Sequence, residues 1–144
     1  MTALDRYDLQ RFVAAQDSAD TYSKALRELR AGRKTSHWMW FVFPQLAGLG
    51  RSAMAQRYAI GSLAEAHAYL AHPVLGPRLT ECAQTVAANH GRTAVDIFGS
   101  IDAVKLRSSM TLFHRADPDQ QLFSEVLQRF FAGDPDPATI ALLS

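Results

Sequence analysis

The sequence holds a single cysteine, Cys82, which excludes an internal disulfide framework and a cysteine-rich zinc site. It has no long apolar run: the strongest, Trp38-Met39-Trp40-Phe41-Val42-Phe43, falls far short of the ~20 residues a membrane-spanning helix needs. Charge of one sign is not in excess either. Fifteen Lys and Arg face 14 Asp and Glu, a formal net charge of +1. That balance argues against general attachment to a nucleic acid polymer or to an anionic membrane. The first residues carry Asp5, Arg6, Asp8 and Arg11 with no apolar run after them, so they do not read as a secretory leader. Also missing are a His-Glu-x-x-His pair, a carboxylate–histidine cluster at metal spacing, a Walker loop and a Gly-x-Ser-x-Gly elbow, so neither a metal nor a cofactor is expected. What remains is a cytoplasmic single domain over residues 1–144, long enough to build its own core.

Helical periods fill most of the chain. Leu9, Phe12 and Val13 follow Asp8, a candidate N-cap, and Tyr22, Ala25, Leu26 and Leu29 share one face of a helix opened by Asp20 and closed by Gly32. Ser52 is placed to cap another. Ser62 and Glu65 have the spacing of a capping box, and Pro77 suits the first turn of the helix bearing Leu79, Cys82, Ala83 and Val86. Thr93 caps a turn closed by Gly99, after which a longer helix runs to about Arg115 with Val104, Ser108, Thr111 and Leu112 on one side. Asp117-Pro118 and Asp136-Pro137 both read as an N-cap followed by an N1 proline. Between them lies a wide apolar stripe: Leu122, Phe123, Val126, Leu127, Phe130 and Phe131. Residues 37–43 are too few for periodicity to separate a buried strand from a helix; helical neighbours favour a short buried helix, with Ser36 before it. No stretch alternates with period two between hairpin turns, and no repeat occurs. The expected fold is mainly α, a compact, single-domain, non-repeating helical fold.

Three places hold the residue types that chemistry needs. In the first, Arg33, Lys34, Ser36 and His37 adjoin Trp38 and Trp40, both of the protein's tryptophans. Cations and hydroxyls suit phosphate oxygens, and an aromatic face suits a base; packing is the alternative duty of the rings. The second, Gly48-Leu49-Gly50-Arg51-Ser52, reads more simply as a tight turn into a helix. The third is Asp102 with Lys105, Ser108 and Ser109, a polar row at helical spacing next to Leu112 and Phe113. Local charge follows the same map. Residues 24–37 set five bases against Glu28, a net of +4, and residues 117–144 set five acids against Arg129, a net of −4. Helix solvation and macrodipole matching account for most of these charges.

The run Lys34-Thr35-Ser36-His37-Trp38-Met39-Trp40-Phe41-Val42-Phe43-Pro44-Gln45-Leu46 followed by Gly48-Leu49-Gly50 resembles the signature of domain of unknown function family 1810. Tyr58-Ala59-Ile60, Phe98-Gly99 with Asp102 and Lys105, and Gly133 with Asp136 and Thr139 continue the likeness through the chain. That resemblance implies a mainly helical bacterial domain and no particular reaction. The order Glu65-Ala66, Leu75-Gly76, then Asp102, Lys105 and Met110 before a Phe-rich helix is similar to the NADAR family of N-glycosidases, which act on ADP-ribose-type or riboflavin-pathway substrates. This second likeness implies bases holding phosphates, a stacking aromatic, and Asp102 or Glu65 stabilising an oxocarbenium-like centre or activating water.

Two expectations follow. One is a site for a small anionic ligand, a phosphorylated nucleoside or ADP-ribose-like molecule, with Asp102 and His37 in catalytic roles and Arg33, Lys34, Trp38, Trp40, Lys105, Ser108 and Ser109 binding. It requires two segments remote in the chain to meet. The other is a non-catalytic interaction module or homodimer that uses Phe123, Phe130 and Phe131.

Overall fold

The computed structural model describes residues 5–144, and among them the helical periods fold as α-helices. In chain order these are α1 (Gln10–Asp17), α2 (Thr21–Ala31), α3 (Met39–Val42), α4 (Ala53–Arg57), α5 (Leu63–Ala71), α6 (Leu75–Ala87), α7 (Ala94–Ala116), α8 (Gln121–Phe131) and α9 (Pro137–Leu143). Residues 39–42 are a short buried helix, not a strand. The nearest thing to a sheet among the described residues is one isolated parallel bridge between Leu46 and Ile60. No helix there is long and apolar enough to cross a membrane.

The long α7 is the axis of the packing. It contacts α8, α5 and α9, while α6 packs on α8, α5 and α2. A chain of aromatic rings ties these helices together. Phe12 meets Tyr69 edge-on at 5.1 Å, Tyr69 lies 5.3 Å from Phe113, and Phe113 lies 5.9 Å from Phe123. Such pairs contribute about 0.5–1.5 kcal/mol each beyond their area. Trp38, Phe43 and Phe98 form a second ring cluster where α3 approaches the start of α7. Gln16 is one of the polar residues buried in the core. It donates to the Phe41 carbonyl at 2.8 Å and accepts from Arg78 at 3.2 Å, so its burial leaves no group unpaired.

Several helix starts depart from the sequence expectation. The Asp8 side chain does not cap α1; Asp5 does that work, accepting from Leu9 and Gln10 N–H groups at 2.7 and 2.9 Å. Asp20 sits in the left-handed region at φ 57° and makes no cap bond, because a 3-10 turn over Ser18–Asp20 joins α1 to α2. The Ser62 box is only half formed. Ser62 accepts from Glu65 N–H, yet the Glu65 carboxylate accepts from Gly61 N–H and from Arg11 instead. Asp117-Pro118 opens a turn, closed by Gln120 N–H on the Asp117 carbonyl, and Gln120 caps α8. Aspartate followed by proline fits the first two positions of that turn as well as it fits a helix start.

Other signals hold. Ser52, Thr93 and Asp136 all cap as read, Thr93 in a full capping box with Asp96. Gly99 breaks α7 at φ 80°, ψ 165°, a region essentially reserved for glycine, and the helix resumes behind it. Behind the break Val104 is exposed, whereas Ser108, Thr111 and Leu112 are buried. In α8, Phe123 is fully buried and Phe130 and Phe131 are partly buried against the core. The C-terminal apolar stripe therefore leaves much less surface for a partner than its sequence suggests.

Candidate functional site

Glycine starts the construction. Gly32 ends α2 in the left-handed conformation at φ 75°, and the chain turns towards the start of α7. There Lys34 N–H bonds to the Ile97 carbonyl at 2.7 Å. This one backbone bond lays the loop after α2 beside the Gly99 break. Asp102 stands in the first turn of the helix that resumes after the break, and Lys105 stands one turn further on.

The two remote segments meet at one carboxylate. Lys34 Nζ lies 2.9 Å from Asp102 Oδ2, and Lys105 Nζ lies 3.5 Å from Asp102 Oδ1. Side-chain exposures are 8% for Lys34, 18% for Asp102 and 24% for Lys105, so the first ion pair is sheltered and the second faces outward. Lys34 also donates to the Ser36 carbonyl at 2.6 Å. Each ammonium sits over an indole: Lys34 is 5.0 Å from the Trp38 ring centroid and Lys105 is 5.3 Å from that of Trp40. Both distances are within cation–π range.

Glu28 holds this assembly from behind. Its carboxylate accepts from Thr35 N–H at 2.8 Å, Ser36 N–H at 3.0 Å, the Ser36 hydroxyl and Trp38 Nε1 at 2.9 Å. Burial works against its charge, but the Ser36 hydroxyl, the Thr35 and Ser36 amides and the Trp38 indole outweigh it and bring its pKa down to about 2. Sequence reading passed over this residue. Its one signal was that Glu28 is the sole acid in the basic stretch of residues 24–37.

The expected site residues therefore divide. Lys34, Trp38, Trp40, Asp102 and Lys105 come together. Trp38 joins from inside, fully buried, and Trp40 is the partly exposed ring of the two. Arg33 and His37 are exposed on the same loop, and neither side chain takes part in the hydrogen bonds among the described residues. Ser108 and Ser109 are not part of this cluster. Helical rotation turns both into the core, where Ser108 donates to Asp136 at 3.2 Å and the Ser109 hydroxyl is buried without a partner. Ser36 does not cap α3, since its hydroxyl goes to Glu28. Glu65 is committed to Arg11 and Gly61. The Gly48–Gly50 loop and α4 line a separate cavity of about 140 Å³. Among the described residues no group of three His, Cys, Asp or Glu is placed to hold a metal ion.

Chemically, the arrangement is an electrostatic triad with a net charge of +1 beside a half-open indole, with Arg33 adding a further exposed cation. Asp102 is held in place from both sides. The Lys105 ammonium is the member most open to an incoming anion.

No curated protein matches this chain. Among solved structures, the conserved hypothetical protein Rv1873 from Mycobacterium tuberculosis is similar, with 55% sequence identity, a TM-score of 0.93 and coverage of 96% of this chain and 98% of that one. The description "protein of unknown function (DUF1810)" belongs to the family whose pattern matches residues 6–143, and the chain is a member of that family.

Proposed function

We propose that the Lys34–Asp102–Lys105 cluster binds a phosphorylated nucleoside or ADP-ribose-like molecule and that the chain hydrolyses it in the manner of an N-glycosidase. The observation that carries this reading is the single carboxylate fixed between two lysines, each lysine stacked on an indole. Lys105 and Arg33 supply cations for phosphate oxygens, and Trp40 supplies a flat apolar surface for a base or ribose. Asp102 is the negative charge available to an anomeric carbon that becomes cationic as its bond to the base nitrogen breaks. In that step water adds to the anomeric carbon and loses a proton, and the departing base nitrogen gains one. His37, exposed on the same loop, is the group assigned to proton transfer.

The test is a thermal-shift panel of nucleotides, ADP-ribose and sugar phosphates. A ligand present at a hundred times its Kd stabilises the native state by about 2.7 kcal/mol. The expected result is a shift with at least one phosphorylated nucleoside that is lost in Lys105→Ala and Trp40→Ala. Hydrolysis is then followed by release of the free base, which Asp102→Asn is expected to abolish while binding survives. Silence across the panel would remove the reading and leave the interaction module.

A further inference from the structure

The exposed face of α2 carries cations that nothing in the molecule neutralises. Lys24, Arg27, Arg30 and, just past the Gly32 turn, Arg33 are all exposed. Among the described residues, no side-chain hydrogen bond or ion pair involves any of the four. Elsewhere among the described residues, Arg11, Lys34, Arg78, Lys105 and Arg129 pair with carboxylates, while Arg6, Arg51, Arg57 and Arg115 are exposed and unpaired too but do not follow one another along one helix. Arg92 and Arg107 bond to backbone carbonyls. The acid in position to pair with Lys24 across one helical turn is Glu28, and Glu28 is turned away to bind Thr35, Ser36 and Trp38. Lys24, Arg27 and Arg30 follow one another at three-residue steps, each about 4.5 Å along the axis. The row then runs through Arg33 directly into Lys34 and the Asp102 cluster. An even total charge conceals this, because the compensating acids lie on other parts of the chain.

We propose that this face is a docking track for the phosphates of a single-stranded nucleic acid whose end reaches Trp40 and Lys105. Three of the four cations are arginines, whose planar forks match phosphate oxygens with two hydrogen bonds. The preference for a nucleic acid over an acidic protein rests on the nucleoside-phosphate reading of the adjoining site.

The experiment is fluorescence anisotropy of end-labelled single-stranded DNA and RNA dodecamers titrated with the full chain over a range of potassium chloride concentrations. Three or four phosphate contacts predict a log–log slope of about −2 to −3, at roughly −0.7 per contact on a single strand. The combined substitution Lys24→Gln, Arg27→Gln, Arg30→Gln is expected to weaken binding at least tenfold at low salt and to flatten the slope by about two units. Arg51→Gln and Arg115→Gln, which remove exposed cations elsewhere, are expected to leave both unchanged. Glutamine keeps the helix, and circular dichroism verifies it. No anisotropy change at low salt overturns the proposal. So does binding that the triple substitution leaves intact, or a polyglutamate peptide that competes as well as the oligonucleotide. The two proposals fail separately. Loss of the ADP-ribose shift in Lys105→Ala tests the cluster alone, and the triple substitution on α2 is expected to leave that shift untouched.

Discussion

Lys34 and Asp102, from a loop after the second helix and the middle of the seventh, form a 2.9 Å ion pair in which the lysine side chain is only 8% exposed. A sheltered pair of this kind returns little net stability, yet removing one partner strands the other. Asp102 is partly protected from that because Lys105 remains. Lys34→Met is therefore expected to cost about 1–3 kcal/mol, less than the full penalty for an orphaned buried charge. The double substitution Lys34→Met, Asp102→Leu is expected to cost less than the sum of the singles, with urea unfolding as the measurement. Strict additivity would mean that the two groups do not interact in solution.

Acid sensitivity should trace to Glu28. Its folded pKa of about 2 lies below its ordinary value of 4.5. The stability it contributes is complete above pH 4.5 and is lost as pH falls from there through 2. Because the carboxylate is partly solvated, the contribution after screening is about 1–2 kcal/mol. Glu28→Gln is expected to lower the urea midpoint at pH 7, and the gap between it and the wild type is expected to close as pH falls from 4.5. A constant gap would assign its effect to packing alone.

Cys82 should be inert in the native protein. Burial on α6 pushes the thiol up to about 12, with the charge of Glu81 adding to this and a Tyr22 hydrogen bond opposing it. At pH 8 a disulfide reagent is expected to label it only at the rate of unfolding, and at once in urea. Rapid native labelling would contradict the packing of α6 against α2.

The last helix hangs on Asp136. This buried carboxylate accepts from Thr139 N–H at 3.0 Å, the Thr139 hydroxyl at 2.6 Å and the Ser108 hydroxyl at 3.2 Å, and its own N–H donates to Thr111 at 2.9 Å. It is thus both the N-cap of α9 and its link to α7. Asp136→Ala is expected to cost about 2 kcal/mol, because it removes the cap and strands the buried Thr139 hydroxyl, while Ser108 keeps its bond to the Val104 carbonyl. Amide exchange should speed selectively over residues 137–143; uniform acceleration would instead indicate global destabilisation.

Local rules carried the sequence reading where the partner was local. Gly32, Ser52, Thr93 and Asp136 all do what their neighbours within a few residues require. Asp8, Asp20 and Asp117 have the same side chain as Asp136, yet none caps a helix as expected. In each case a turn competed for the same backbone. Ser108 and Ser109 were placed beside Lys105 by spacing along α7, and it was contact with α9 and the core that claimed them.

Composition and periodicity by themselves determined a helical chain, the approximate limits of its longer helices and the two segments richest in chemistry, because helix patterning and capping are settled over a few residues. Only the tertiary structure decided that those segments meet at Asp102, that Trp38 is core while Trp40 is surface, and that Glu28 turns inward and leaves the α2 cations uncovered. Those outcomes depend on which helix packs against which, and no local stretch of sequence encodes that pairing.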